Sequence, residues 1–196
     1  MEYADINFPI GSVNPSGIAD IGYFAPKSDI TAWPTIEDPD AEEATVDLTA
    51  NYSGDFTMAA GKTFLKIYST QGKGKVTAEP IGETDCKMYN NVATLKYPKI
   101  NKEIRAFAKA AANGDFVFVV KHDGKFFVVG NEDYRCDISP SFDTGDAAGS
   151  DKGCTINITC PDVTPMPEYT GELPLADGTL DCSTGVFTPT GTDPEG

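Results

Sequence analysis

The strongest hydrophobic pattern in the chain is FVFVVKHDGKFFVVG, residues 116–130. Two apolar runs, Phe116–Val120 and Lys125–Val129, flank His122-Asp123-Gly124, where a glycine is available for positive φ, so a β-hairpin is predicted. Both runs are apolar almost throughout instead of alternating with polar residues. That pattern predicts cover on both faces of the sheet, with a helix on one side, and places Phe116, Phe118 and Phe127 in the core.

The helix is predicted between Pro98 and Gly114. Ile100, Ile104, Phe107, Ala108 and Ala111 recur at helical spacing, Asn101 can serve as N-cap, and Asn113-Gly114 supplies the stop. Lys102, Glu103, Arg105 and Lys109 occupy the other side, so Ile104 and Phe107 are expected to pack on the sheet. Strands are predicted at Asp20–Ala25, Thr45–Thr49, Thr63–Ser69 and Lys73–Glu79. Further strand patterns follow at Val92–Lys96, Tyr134–Ile138 and Cys154–Cys160. The expected fold class is mainly β with one helix.

Between these elements the composition changes. Residues 1–17 read as an irregular N-terminal arm, and residues 18–165 as the β domain. Within that domain residues 26–44 form a long loop in which Pro26, Pro34 and Pro39 exclude a central strand, with Trp33 and Ile36 embedded among acids. A loop of this length in a compact domain is usually functional. The Pro-, Gly-, Thr- and Asp-rich tail, residues 166–196, reads as an extended arm with at most one more strand.

Charge narrows the function. Thirty acidic against fifteen basic residues give a net charge of -15, which argues against binding that depends on neutralising phosphates or anionic lipids. The N-terminus MEYADINFPIGSV shows no secretory signal, and no stretch approaches the ~18 apolar residues of a membrane span. The expectation is a protein made and kept soluble in the cytoplasm, with no membrane partner. Five cysteines without CxxC or paired Cys/His spacing argue for free, buried thiols over a disulfide framework or zinc site. Cys154 and Cys160, an even number of residues apart, are expected on one face of their strand.

Candidate chemistry is sparse. Asp143-Thr144-Gly145 carries the letters of an aspartic protease loop, but Ser141-Phe142 precede it and Asp146 adds a charge where a dry cleft is needed. A solvated turn is the expectation. Asp143, Asp146 and Asp151 lack the ligand spacing of an EF-hand. Gly61-Lys62-Thr63 ends like a phosphate-binding loop, but Phe56 stands where its first glycine belongs. His122, the only histidine, falls in the hairpin turn. Asn51-Tyr52-Ser53 and Asn157-Ile158-Thr159 match glycosylation acceptors, which mean little without secretion. No enzyme, catalytic residue, metal or cofactor is expected.

The order of elements (arm, strand, Pro-rich loop, strands, helix, hydrophobic hairpin, Asp/Gly turn, strand, tail) resembles the tail tube, or major tail, proteins of tailed bacteriophages. The resemblance is to the version found among phages of Bacteroidetes. GIADIGYFAPKSDITAWP, GKTFLKIYST, DFVFVVKHDGKFFVVGNEDY and SFDTGDAAGSDKGCTINITC carry the resemblance, over roughly residues 17 to 170. It implies a β-sandwich rolled into a half-barrel with one flanking helix. Six copies would close a hexameric ring, and rings would stack into a tube that conducts DNA without binding it specifically. Ile30, Trp33 and Ile36 of the long loop would then contact a neighbouring ring, as would the terminal arms. The implied partners are further copies of the chain, a tape measure protein, and tail terminator and tail tip proteins. The implied location is the virion tail, assembled in the host cytoplasm. A ring protein of the neck, the terminator or a secretion-type tube keeps the same architecture. A surface or adhesin module of the β-sandwich type is the alternative outside phages.

Overall fold

Strands that are apolar on both faces have to be buried twice, and the structure supplies two separate covers. The computed structural model describes residues 5–6 and 11–190. Part of the expected N-terminal arm, and the end of the C-terminal one, lie outside the described residues. In chain order the first strands are β1 (Ile21–Pro26), β2 (Ile30–Ala32), β3 (Asn51–Tyr52), β4 (Thr57–Met58), β5 (Leu65–Tyr68), β6 (Lys75–Ile81) and β7 (Met88–Tyr97). The hairpin follows as β8 (Phe116–His122) and β9 (Lys125–Val129), then β10 (Asp137–Asp143) and β11 (Gly153–Asp162). The last four are β12 (Glu168–Tyr169), β13 (Glu172–Leu175), β14 (Gly178–Asp181) and β15 (Val186–Pro189). Helix α1 (Val46–Ala50) precedes β3, α2 (Lys102–Ala111) precedes β8, and a 3-10 turn spans Lys27–Asp29.

The hairpin is the middle of a six-stranded sheet ordered β3-β12-β9-β8-β1-β5. His122 pairs with Lys125 across the turn, and Asp123 and Gly124 both take positive φ, 49° and 81°, as a two-residue hairpin turn that follows the strand twist requires. Along β8 the side chains alternate between two cores. Phe118 and Val120 enter the first; Val117 and Val119 enter the second.

A four-stranded sheet ordered β10-β11-β7-β6 covers the first core. Its inward residues include Ala93 and Leu95 from β7 and Cys154, Ile156, Ile158 and Cys160 from β11, so the two cysteines do share one face. Helix α2 closes the same core with Ile104, Ala108 and Ala111 buried. Its start is fixed by Asn101, whose Oδ1 accepts from the Ile104 amide at 3.0 Å. Phe107 is half-buried and meets Phe24 edge-on, with ring centroids 5.0 Å apart. Phe116 and Phe127 are also partly buried against this core. Ile100 lies just before the helix and is exposed, off the packed stripe.

The second core is covered by two segments read from sequence as arms or loops. Ile30, Trp33 and Ile36 pack on it from the Pro-rich stretch. Leu173, Leu175, Leu180 and Cys182 pack on it from the tail. The tail therefore does not form an extended arm with one strand. It contributes β12 to the six-stranded sheet and folds a three-stranded sheet, β13-β14-β15. Nor is the Pro-rich stretch free of pairing, because β2 pairs with β4 and Thr35 bridges Ser53.

Two local expectations are corrected. Thr45–Thr49 forms a helix instead of a strand: Thr45 Oγ1 accepts from the Leu48 amide at 3.2 Å, and Asp47 sits in the first turn. Capping outweighs the β-branched composition over so short a segment. The chain thus has two α-helices among its described residues. The strand expected at Tyr134–Ile138 begins only at Asp137, because Asn131 Oδ1 accepts from the Tyr134 amide at 2.8 Å and holds a turn there.

In denaturant titrations, Phe118→Ala should cost about 3–5 kcal/mol and half-buried Phe107→Ala less. Lys102→Ala, on the exposed face of α2, should stay within about 0.5 kcal/mol. The β14–β15 turn makes a pH prediction. Asp181 Oδ1 accepts from Ser183 Oγ at 2.6 Å and Oδ2 accepts from Thr184 Oγ1 at 2.7 Å. These hydroxyls, Ser183 first, lower its carboxyl to about 2. The stabilisation is therefore complete above the unfolded value of about 4 and is lost as pH falls toward 2. NMR titration of the Asp181 carboxyl should show the low midpoint, and a double Ser183→Ala, Thr184→Val change should raise it.

Candidate functional site

The Asp-rich loop is a turn held by its own acids. Asp143 Oδ1 accepts from the Gly145 amide at 2.8 Å, and Ser150 Oγ donates to Asp146 Oδ1 at 2.7 Å. That hydroxyl lowers the carboxyl of Asp146, which is fully exposed. Among the described residues no group of His, Cys, Asp and Glu side chains is placed to hold a metal ion. His122 is half-buried beside the hairpin, with Nδ1 in hydrogen-bond contact with the Gly17 carbonyl, and its ring tilts over Phe127.

The thiols differ in setting. Cys136, Cys154, Cys160 and Cys182 are buried, while Cys86 is exposed, and none is in a disulfide. Burial pushes Cys182 up to about 12, with the Asp181 charge adding to it. The Cys136 thiol is raised by its hydrogen bond with Cys160 and by burial. Cys136 and Cys182 thus stay protonated, and protonated thiols are poor nucleophiles.

The Pro-rich stretch, by contrast, forms one wall of a cleft of about 580 Å³. Trp33, Thr35, Ile36, Glu37 and Asp38 make that wall; Asn131–Tyr134 and Asp162–Pro165 make the others, with Tyr52 and Tyr89 between them. Backbone bonds hold the first wall in place. Thr35 and Ser53 exchange hydrogen bonds of 3.0 and 2.7 Å, and the Glu37 amide donates to the Leu48 carbonyl at 2.9 Å. Trp33 rests edge-on against Phe56 at 5.3 Å, with the Lys27 ammonium 6.0 Å from its ring.

Asn91 braces the opposite wall. It is fully buried, donates to the Thr164 carbonyl at 2.9 Å and accepts from the Met166 amide at 3.0 Å. Asn131 ties the third segment on, donating to the Pro161 carbonyl at 2.7 Å. At the meeting point lies Asp162, only 4 % exposed. Its Oδ1 accepts from the Thr164 amide at 3.0 Å, and its Oδ2 has no hydrogen-bond partner among the described residues. The phenol of neighbouring Tyr52 is raised by burial, then by the charge of Asp162. No histidine or cysteine lines the cleft. Aromatic walls and carboxylates make it a place to bind a ligand.

The three expected contact residues thus have different fates. Ile30 is buried in the second core of its own chain, so it is a packing residue and does not present a contact surface. Trp33 and Ile36 are half-buried and face the cleft. Tyr89 and Asp162 carry no signal in the sequence, and Tyr52 enters there only within a glycosylation acceptor, because the three come from distant segments with no shared motif. No helix among the described residues is long and apolar enough to cross a membrane. No family model matches the chain, and neither does any curated protein or solved structure.

Asp143→Asn should leave the denaturation midpoint nearly unchanged, within about 0.5 kcal/mol, and should not alter any peptide cleavage assay. Loss of a pepstatin-sensitive activity on that change would show that the turn reading is wrong.

Proposed function

We propose that this chain is a structural subunit that assembles into stacked rings, as a phage tail tube protein does, and so forms a conduit for DNA. The observation that carries the reading is the solvated face of the four-stranded sheet. Across it run Ser139, Asn157, Thr94 and Lys75 in one row, and Ser141, Thr155 and Lys96 in the next. Thr94 Oγ1 donates to Asn157 Oδ1 at 3.1 Å, and Lys96 is held by Thr155 and Asp151. The face is a lawn of small hydroxyls and amides with acids at its margins, Asp137 and Asp143 on β10 and Glu79 on β6. Of the two lysines in these rows, Lys96 is buried and held near Asp151, which leaves Lys75 as the exposed cation. A polyanion therefore gains little counterion release there and can pass without sticking.

The sheet's margins support assembly as well. β10 and β6 have no outer partner among the described residues, leaving backbone groups for a second copy. Pro140 in β10 and Pro80 in β6 confine such pairing to short runs beside them. Joined edge to edge, copies would line a common lumen with this hydroxyl face, and α2 would flank the ring. On this reading the partners are further copies, a tape measure protein within the tube, and terminator and tip proteins at its ends. The location is the virion tail, and no membrane is involved.

Electron microscopy and sedimentation of the purified protein test the reading together. Rings or tubes are expected, with negligible retention of duplex DNA at moderate salt. A stable monomer at high concentration, with no rings in micrographs, would overturn it.

A further inference from the structure

We propose that the cleft beside Trp33 binds an organic cation: an alkylammonium or alkylguanidinium group of the kind that ends a lysine or arginine side chain. The inference does not depend on ring assembly. It rests on three independent features of the cleft.

The first is the carboxylate under its floor. Asp162 is all but removed from solvent, yet one of its oxygens has no donor among the described residues. A buried carboxylate left half-paired is costly, and a cation seated above it would offset that cost. The second is the set of walls. Trp33, Tyr52, Tyr89 and Tyr134 surround the space, and aromatic faces attract ammonium and guanidinium groups more strongly where water is excluded. The third is the rim, where Glu37, Asp38, Glu132 and Asp133 add negative potential that would draw a cation inward.

Other ligand classes fit less well. Anions meet five carboxylates in the lining, Glu37, Asp38, Glu132, Asp133 and Asp162. A metal ion finds no ligand cluster among the described residues. A neutral sugar could stack on the aromatic walls and donate a hydroxyl hydrogen bond to Asp162, but it would not neutralise the carboxylates of floor and rim. The volume, about 580 Å³, suits a cationic side chain together with its flanking backbone. Lys27 does not already fill this role, because its ammonium is paired with Asp115 at 3.2 Å and donates to the Tyr134 carbonyl.

Trp33 is the only tryptophan, so tryptophan emission, excited selectively over the tyrosines, reports on the wall of the cleft. Titration with agmatine and with n-butylammonium should give a saturable change in emission that weakens as salt rises. Neutral n-butanol and glucose should give none. Asp162→Asn should weaken agmatine binding at least tenfold. The exposed double variant Glu132→Gln, Asp133→Asn, which should fold whatever happens to the buried site, should weaken it severalfold. Circular dichroism confirms that each variant is folded. The source of the natural cation is read by diluting the protein alone. Emission that shifts with protein concentration and is competed by agmatine assigns the cation to a second copy; concentration-independent emission assigns it to a soluble amine. The proposal fails if neither amine produces a saturable change. It also fails if n-butanol or glucose matches the amines, or if folded Asp162→Asn and the rim variant both bind as the parent does.

Discussion

The structure depends on a hairpin that is apolar on both sides. Because successive side chains of a strand point to opposite faces, Phe118 and Val120 cannot be buried by the layer that buries Val117 and Val119. Two covers are therefore obligatory, and each has to come from elsewhere in the chain. The four-stranded sheet and α2 form one. The Pro-rich stretch and the tail form the other. Neither of those last two segments would hold an ordered path without the apolar surface beneath it, since their own pairing is limited to short strands.

This dependence explains what was legible in the sequence. The hairpin, α2 with its Asn101 cap, and β11 announce themselves through local pattern, because periodicity and capping act over a few residues. The tail was misread because Pro, Gly and Asp dominate its composition, while the four residues that dock it, Leu173, Leu175, Leu180 and Cys182, are spread thinly. Their meaning lies in the surface they cover. α1 was misread for the opposite reason: Thr45, Val46 and Thr49 favour strands on average, but one side-chain cap at Thr45 decides a single turn. Ile30 shows the limit of reading an apolar residue in a loop as a contact. Its partners belong to the same chain.

The cleft was half visible. Trp33 and Ile36 stood out as large apolar side chains among acids and prolines. The carboxylate that gives the site its character did not, because an aspartate at a strand end, between Pro161 and Pro165, looks like any turn residue. What distinguishes Asp162 from Asp143 is environment alone. Asp143 is solvated and bonds its own turn, whereas Asp162 sits where three segments converge and water is excluded. Local sequence records neither condition.

The strand order of the six-stranded sheet also bears on how the chain is made. β3 reaches the sheet only through β12, which lies between it and β9. The contacts that secure this region are likewise remote in sequence: Tyr169 Oη accepts from the Phe56 amide at 3.2 Å, and Asp55 Oδ1 accepts from the Glu172 amide at 2.7 Å. During synthesis, residues 51–56 therefore wait for residues 168–172 to leave the ribosome before the sheet can be completed. Until then Phe56 lacks its ring partner Tyr169 and Tyr52 its strand partner, and an apolar surface stays open on the nascent chain. Completion of the six-stranded sheet is thus coupled to the synthesis of residues more than a hundred positions further along, so a shorter nascent chain cannot present the finished fold.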